Sequence, residues 1–124
     1  MSGRTLRVGL AFAVAAGCAS APKFPEAPLS VTGRTVQPYE IHEECARLAP
    51  GDRLEFAFES LQPVQFNIHY HEGNSVVMPI TRDATVAEAG IFPVTLAQDY
   101  CAMWEAGPAG AQIDYRLRVR RSGT

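Results

Sequence analysis

The sequence lacks an excess of basic residues, a long apolar run and an internal repeat. Its 124 residues include 11 Lys or Arg and 13 Asp or Glu, a balance that gives no general attraction to nucleic acid or to anionic lipid. Polar residues return at Ser20 and Lys23, soon after the apolar stretch 8–14. A membrane-spanning helix needs roughly 20 apolar residues, so this stretch is too short to span a bilayer.

A recognisable catalytic set is also missing. Ser60 and Ser75 lack the sharp turn that presents a nucleophilic serine, and the carboxylates are scattered along the chain. We therefore predict that the protein is not an enzyme and that it needs no cofactor.

The first 17 residues have the layout of an export signal. Arg4 and Arg7 form a short cationic region, and residues 8–14 form an apolar core of the expected length. The following Ala15-Ala16-Gly17-Cys18 resembles the lipobox of bacterial lipoproteins, a family whose signal is cut just before the cysteine. The resemblance implies that Cys18 carries diacylglycerol and an acylated amine, which anchor the mature chain in a membrane of the cell envelope.

The residues around Cys18 also bear on which membrane receives the protein and on where the signal is cut. Ala19 rather than Asp follows the cysteine, which in lipoproteins implies the outer membrane, facing the periplasm. Cleavage after Ala19-Ser20-Ala21 would give a soluble secreted protein, although Pro22 would then follow the cut directly. Cleavage after Ala13-Val14-Ala15 would leave an unusually short apolar core, and an uncut segment would be retained as an anchor.

The lipobox accounts for one of the three cysteines, so an odd number becomes one pair. Lipidation of Cys18 leaves Cys45 and Cys101 as the remaining pair, in a compartment that oxidises thiols. A bridge between these two, which are 56 positions apart, is worth roughly 4 kcal/mol in the chain-entropy model. We predict a Cys45–Cys101 disulfide, and the alternative is a pair of reduced thiols that serve a metal.

The mature chain divides into three parts. Residues 18–38 are rich in Pro, Ala, Ser and Thr and predict a flexible tether, with a candidate first strand at 30–36 where the tether ends. Residues 39–121 predict one β domain, and residues 122–124 a short tail. Removal of the signal takes away two Arg, so nine basic residues face 13 acidic ones, a net charge of −4.

Short alternating patterns dominate the domain. Apolar and polar residues alternate along 53–59, 64–70, 75–80, 91–96, 100–104 and 113–119, which is the period of half-buried strands. Turn residues separate these runs at Pro50-Gly51-Asp52, Glu72-Gly73-Asn74 and 107–110, and Pro93 marks an edge strand or a bulge. Residues 40–48 predict one helical turn. The spacing predicts an all-β fold, a small antiparallel β-sandwich of about seven strands.

The order of these features resembles the GOLD domain, a β-sandwich in the lumenal part of eukaryotic Golgi cargo receptors. The matching pieces, which cover roughly residues 40–121, are Glu44-Cys45, 66–73, Gly90-Ile91-Phe92, Tyr100-Cys101 and 113–119. The asparagine that follows the second cysteine in that family is absent here. The resemblance implies a β-sandwich with a Cys45–Cys101 bridge and a protein- or lipid-contacting role without catalysis, and it does not imply the cargo role.

His69 and His71 form the one local cluster that could carry chemistry. They would share the polar face of a strand at a spacing of roughly 6.6 Å, so two imidazoles could converge on one metal ion. Cys101 and Met103 form a second same-face pair, Met78 lies on the return strand, and soft ligands of this kind suit copper. The alternative function is therefore a periplasm-exposed lipoprotein that binds copper or zinc through His69 and His71, with Met103. Histidines that are structural or that face solvent are the simpler interpretation, and a ligand pocket that uses their hydrogen bonds is the remaining alternative.

The last predicted strand carries a basic stripe. Arg116, Arg118, Arg120 and Arg121 would lie together on one side, which is usually a solvated face that discourages edge pairing. Arg116, Arg118 and Arg120 are also candidates for contact with an acidic envelope partner or with lipid phosphate. The sequence thus predicts a lipid-anchored envelope protein whose β-sandwich is a non-enzymatic structural or protein/lipid interaction module.

Overall fold

A computed structural model describes residues 28–123, so the predicted signal, Cys18 and residues 18–27 of the predicted tether lie outside the described residues. The described chain contains six strands and no helix: β1 (Leu29–Val36), β2 (Ile41–Leu48), β3 (Arg53–Glu72), β4 (Ser75–Pro93), β5 (Gln98–Ala106) and β6 (Ala111–Arg120). The prediction of a small all-β domain is confirmed. Within this part of the chain, no helix is long and apolar enough to span a membrane.

The strands form one antiparallel sheet in the order β1-β6-β3-β5-β2, with β4 paired to β3. β3 is 20 residues long and serves both halves of the sheet, because residues 53–60 pair with β6 and residues 64–69 pair with β5. The register between β3 and β4 shifts between Glu59 and Val64, and an irregularity of this kind bends a strand and increases its twist. The sheet therefore curls over on itself, with β6 and β5 on its two halves.

The two halves pack face to face because alternate residues of each strand are apolar. Phe58 of one half contacts Phe66 of the other, with ring centroids 4.8 Å apart, and Trp104 of β5 contacts Tyr115 of β6 at 4.6 Å. Aromatic side chains of this size bury a large apolar area and dominate the energetics of a small core. The largest fully buried side chains are Trp104, Tyr100, Phe66, Leu48, Leu54, Ile68, Ile113, Leu117 and Val64.

Cys45 and Cys101 form a disulfide, as predicted. They are register partners on β2 and β5, so the bridge fastens the edge strand β2 to the body of the sheet. The alternative of two reduced thiols serving a metal is therefore wrong.

The strand count and one element differ from the prediction. Six strands replace about seven, because the predicted strands 53–59 and 64–70 join in β3, and 75–80 joins the start of 91–96 in β4. Residues 41–48 form β2 and not a helical turn. Pairing with β5 and the burial of Ala46 and Leu48 outweigh the local helical preference. β4 pairs with β3 alone, so the expectation of an edge strand at Pro93 is confirmed.

The folded body extends beyond the predicted limits of the domain. β1 lies within the predicted tether, at the candidate first strand, and pairs with β6. At the other end Ser122, in the predicted tail, donates its backbone N–H to Asp52 Oδ1 at 2.8 Å. The end of the chain is thereby held to the turn that precedes β3.

Candidate functional site

One outer face of the sheet, on β2, β5 and β3, gathers two histidines and the disulfide. We call it the histidine face; its members are Glu43, Asn67, His69, His71 and Met103, beside the Cys45–Cys101 bridge. Strand pairing brings them together, since Met103 is the register partner of both Glu43 and Asn67. In the same way, Cys101 is the partner of both Cys45 and His69. Side chains two apart on a strand share a face, so this group lies on the side opposite the core.

His69 is the buried histidine of this face, with 4% of its surface exposed. Its Nδ1 lies 2.8 Å from Asn67 Oδ1, an oxygen that can only accept, so the Nδ1–H group donates. Burial lowers the pKa of His69 below its ordinary value; Glu43 opposes this shift and His71 reinforces it. The neutral ring keeps a lone pair on Nε2, and that atom lies 3.8 Å from Glu43 Oε2.

The structure places the residues predicted to bind a metal near one another on this face. The rings of His69 and His71 are neighbours, with centroids 5.3 Å apart and planes at 81°, and Met103 lies on the same face. His71 is exposed and fits the solvent-facing interpretation, whereas His69 is buried and bonded to Asn67, which fits the structural one. Cys101 is held in the disulfide and offers no thiolate.

Glu43 and Asn67 belong to the histidine face, and the sequence reasoning misses both. Glu43 lies on a segment predicted as a helical turn, and no local pattern indicates its neighbour on another strand. The sequence pattern could have predicted Asn67 beside His69, because a residue two positions earlier on a strand shares the same face. The Asn67–His69 pairing was therefore within reach of the sequence, while the Glu43–His69 proximity was not.

The other half of the sheet exposes a second charged face, on β6 and β3. We call it the arginine face; it consists of Arg53, Arg116, Arg118 and Arg120. Arg116, Arg118 and Arg120 are exposed on one side of β6, as alternation predicts. Glu55 lies among them, with its Oε1 accepting a bond from Arg120 Nε at 2.7 Å. This bond, reinforced by the charges of Arg118 and Arg53, holds the pKa of Glu55 below its ordinary value.

The basic stripe ends at Arg120, so the expectation that Arg121 belongs to it is wrong. The Arg121 guanidinium donates instead to Asp52 Oδ2 at 3.0 Å and to the Arg47 carbonyl at 3.1 Å. The same half of the sheet has a shallow groove of about 610 Å³ that begins at Arg116 and is lined further on by Glu59, Asp114 and Glu88, the last of which is paired with Arg82. The outer surface of this half is therefore basic at one end and acidic at the other.

A third polar group lies inside the curl, where β2 faces β6. Tyr115 donates its hydroxyl proton to Glu44 Oε1 at 2.6 Å, and His42 Nε2 donates to the same hydroxyl oxygen at 2.8 Å. Burial raises the pKa of Tyr115 well above its ordinary value, and the Glu44 carboxylate reinforces the shift. The His42 ring also stacks on Trp104, with centroids 6.0 Å apart. These bonds satisfy the inward polar residues of β2, which gives the group a structural role.

No family model and no curated protein matches the sequence. Among solved structures, the chain is similar to a protein from Sulfurospirillum deleyianum, at 8% sequence identity and a TM-score of 0.46. The match covers 75% of this chain and 97% of that one. At this TM-score the likeness carries no argument about function, and the resemblance to the GOLD domain stays a prediction.

Proposed function

We propose that the protein is a lipid-anchored component of the bacterial cell envelope, a non-enzymatic module whose arginine face contacts the phosphate groups of anionic lipids. The anchor is proposed from Ala15-Ala16-Gly17-Cys18, which lies outside the described residues. The observation that carries the contact is the concentration of Arg53, Arg116, Arg118 and Arg120 on one outer face around Glu55.

The proposed anchor and the arginine face are close along the chain. Residues 19–28 separate Cys18 from β1, and a segment of this length spans at most roughly 35–40 Å when fully extended. β1 pairs directly with β6, and Ser30 is the register partner of Arg116. Lipidation at Cys18 would therefore keep the arginine face within reach of the headgroups.

Local charge rather than net charge supports the contact. The mature chain would carry a net charge of −4, so the molecule as a whole is not drawn to an anionic surface. Each arginine close to such a surface is worth about 1 kcal/mol, and the attraction fades within a Debye length of about 10 Å. Because Glu59 and Asp114 lie on the far side of Arg116 from Arg120, the contact would also orient the domain, with the arginine end toward the membrane.

Vesicle flotation tests this contact separately from the lipid anchor. A fragment of residues 19–124 lacks Cys18 and contains the whole described sheet, so its binding reports the protein surface alone. We expect it to bind vesicles that contain phosphatidylglycerol, and to release them as salt rises. The triple variant Arg116→Gln, Arg118→Gln, Arg120→Gln should bind them roughly 100-fold more weakly, because three favourable charges are lost.

The matched control removes three arginines that lie outside the face, as Arg34→Gln, Arg47→Gln, Arg82→Gln. This variant has the same net charge as the first and should keep most of the binding. Equal losses in the two triple variants, or equal binding to phosphatidylglycerol and neutral phosphatidylcholine vesicles, would contradict the proposed lipid contact. Binding to an acidic envelope protein without binding to vesicles would favour a protein partner instead.

A further inference from the structure

We infer that Glu43, His69 and His71 form a site for one divalent transition-metal ion, Zn²⁺ or Cu²⁺. The site goes beyond the proposed lipid contact and does not depend on it, because it lies on the histidine face in the other half of the sheet. Its ligand set is two imidazole nitrogens and one carboxylate oxygen. Imidazole suits both ions, and a carboxylate oxygen is a common third ligand.

The central observation is that His69 Nε2 and Glu43 Oε2 face each other across 3.8 Å. Neither atom supplies a proton, since His69 donates from Nδ1 to Asn67 and the carboxylate of Glu43 can only accept. Protonation of Nε2 would not form a hydrogen bond at this distance, because N–H···O bonds extend to only about 3.2 Å. A cation nearly fits the gap: two ligand atoms each about 2.1 Å from one ion are roughly 3.4 Å apart at the tetrahedral angle, so the half-exposed Glu43 side chain would close by a few tenths of an ångström.

His71 offers a second imidazole beside that of His69. Two imidazoles bound tetrahedrally to one Zn²⁺ have ring centroids roughly 5 Å apart, given metal–nitrogen distances of about 2.0–2.1 Å. The observed separation of the His69 and His71 centroids is 5.3 Å. The ligand atoms that already lie within 4.8 Å of one another include those of Glu43 and His69 but not of His71, so the exposed His71 ring would turn about its side-chain bonds to bring a nitrogen to the ion.

Asn67 orients His69 as a ligand. Metal-binding histidines usually donate their other ring N–H to a carbonyl, a carboxylate or water, which fixes the ring and leaves one nitrogen free to coordinate. Here the 2.8 Å bond from Nδ1 to Asn67 Oδ1 does this, and both side chains are buried. The arrangement turns the Nε2 lone pair toward Glu43, so that atom can coordinate an ion.

The surroundings leave the ion accessible to solvent on one side. The side chain of Glu43 is 47% exposed and His71 is exposed, so an ion can enter and a water can complete its coordination. Cys101 Sγ lies within 4.8 Å of the ligand atoms of Glu43 and His69, but it is bonded to Cys45 and supplies no thiolate. Met103, the register partner of Glu43, adds a thioether neighbour but is not needed for the three ligands.

Metal titration of the mature full chain tests the site. The protein is first alkylated without reduction, so that any free thiol is blocked while the disulfide stays intact. We expect calorimetry to show one Zn²⁺ or Cu²⁺ per chain, and the EPR spectrum of the Cu²⁺ form to show coupling to two imidazole nitrogens. Glu43→Gln and His71→Ala replace exposed side chains, so both variants should fold, and each should weaken binding by roughly 10- to 100-fold.

Two control variants keep the ligand assignment falsifiable. Glu59→Gln removes an exposed carboxylate from the other half of the sheet, and Met103→Leu removes the neighbouring thioether; both should bind Zn²⁺ as the parent does. Unchanged affinity in a Glu43→Gln, His71→Ala double variant would overturn the site. So would a single coupled nitrogen in the Cu²⁺ spectrum, or failure of the parent protein to bind micromolar Zn²⁺ and Cu²⁺.

Discussion

The two outer faces of the curled sheet share one strand, β3, yet its polar residues are exposed to solvent on one face and buried on the other. β3 contributes Arg53 and Glu55 to the surface of one half, and Asn67 and His69 to that of the other. Arg53 is exposed and Glu55 is half-buried, whereas Asn67 and His69 are only 6% and 4% exposed. Position on a strand therefore decides which face a residue joins, but not whether water reaches it.

The neighbouring strands account for this difference. Beside Glu55, β6 presents long arginines whose charged ends extend into solvent, so the carboxylate is paired and still hydrated. Beside His69, β5 and β2 present the uncharged disulfide and Met103, and the carboxylate of Glu43 on β2 is the one charged neighbour among them. A buried polar group must be hydrogen-bonded, and the Asn67–His69 bond meets that requirement. The same period-2 pattern thus produces a solvated charge cluster in one half and an oriented histidine in the other.

Removing the disulfide is the largest change that can be confined to one face. In the Cys45→Ala, Cys101→Ala variant, the loss of a bridge with a sequence separation of 56 should lower the free energy of unfolding by roughly 4 kcal/mol. Urea denaturation measures this value. Hydrogen exchange should accelerate most in β2 and β5 and least in β1 and β6, because the latter two strands lie outside the closed loop.

The control for this experiment is a change on the other face. Arg118→Gln removes an exposed charge and should alter the free energy of unfolding by no more than about 0.5 kcal/mol. A disulfide variant that lost less than about 1 kcal/mol, or that exchanged uniformly over all six strands, would show that the bridge does not organise the histidine face.

A smaller predicted effect distinguishes a pKa shift caused by burial from one caused by ion pairing. The pKa of His69 and the pKa of Glu55 both lie below their ordinary values of 6.5 and 4.5, the first mainly through burial and the second mainly through its bond to Arg120. NMR titration with a chelator present should find both shifts. Raising the salt to about 1 M should return the pKa of Glu55 toward its ordinary value and leave that of His69 nearly unchanged, because salt screens exposed charges but does not reverse burial. Equal salt responses would contradict the distinction.

Both shifts make folding depend on pH with the same sign. Each group binds its proton more tightly in the unfolded chain, so its contribution to stability is present above the ordinary pKa and is lost as pH falls toward the folded-state pKa. As the pH falls, this loss of stability begins near pH 6.5 for His69 and near pH 4.5 for Glu55. The free energy of unfolding should therefore begin to fall below pH 6.5, and His69→Gln should remove that upper step. An unchanged profile in the variant would assign the step to another group.

The fold class was predictable because the alternation of apolar and polar residues is local. The same alternation correctly placed Arg116, Arg118 and Arg120 on one side of β6. β2 was not predictable, because its inward residues include His42 and Glu44, which break the apolar signal. Their partner is Tyr115 of β6, which lies 73 and 71 residues away along the chain.

The position of Glu43 was not predictable either, because it depends on pairing between strands that are far apart in the sequence. Its approach to His69 follows from the register of β2 on β5 and of β5 on β3, and the disulfide fixes the first of these registers. The sequence indicated the bridge but assigned no strand to residues 41–48, so that register could not be used. The histidine pair was therefore predictable, and its carboxylate neighbour was not.

The mass of the mature N-terminus tests the lipid anchor most directly. The protein would be isolated from bacterial membranes in detergent, digested, and its N-terminal peptide identified by mass spectrometry. We predict a peptide that begins at Cys18 and carries a diacylglyceryl group and an acylated amine, and we expect Cys18→Ala to abolish it. An unmodified N-terminus at Pro22 or Ala16, or an uncut chain that begins at Met1, would contradict the account.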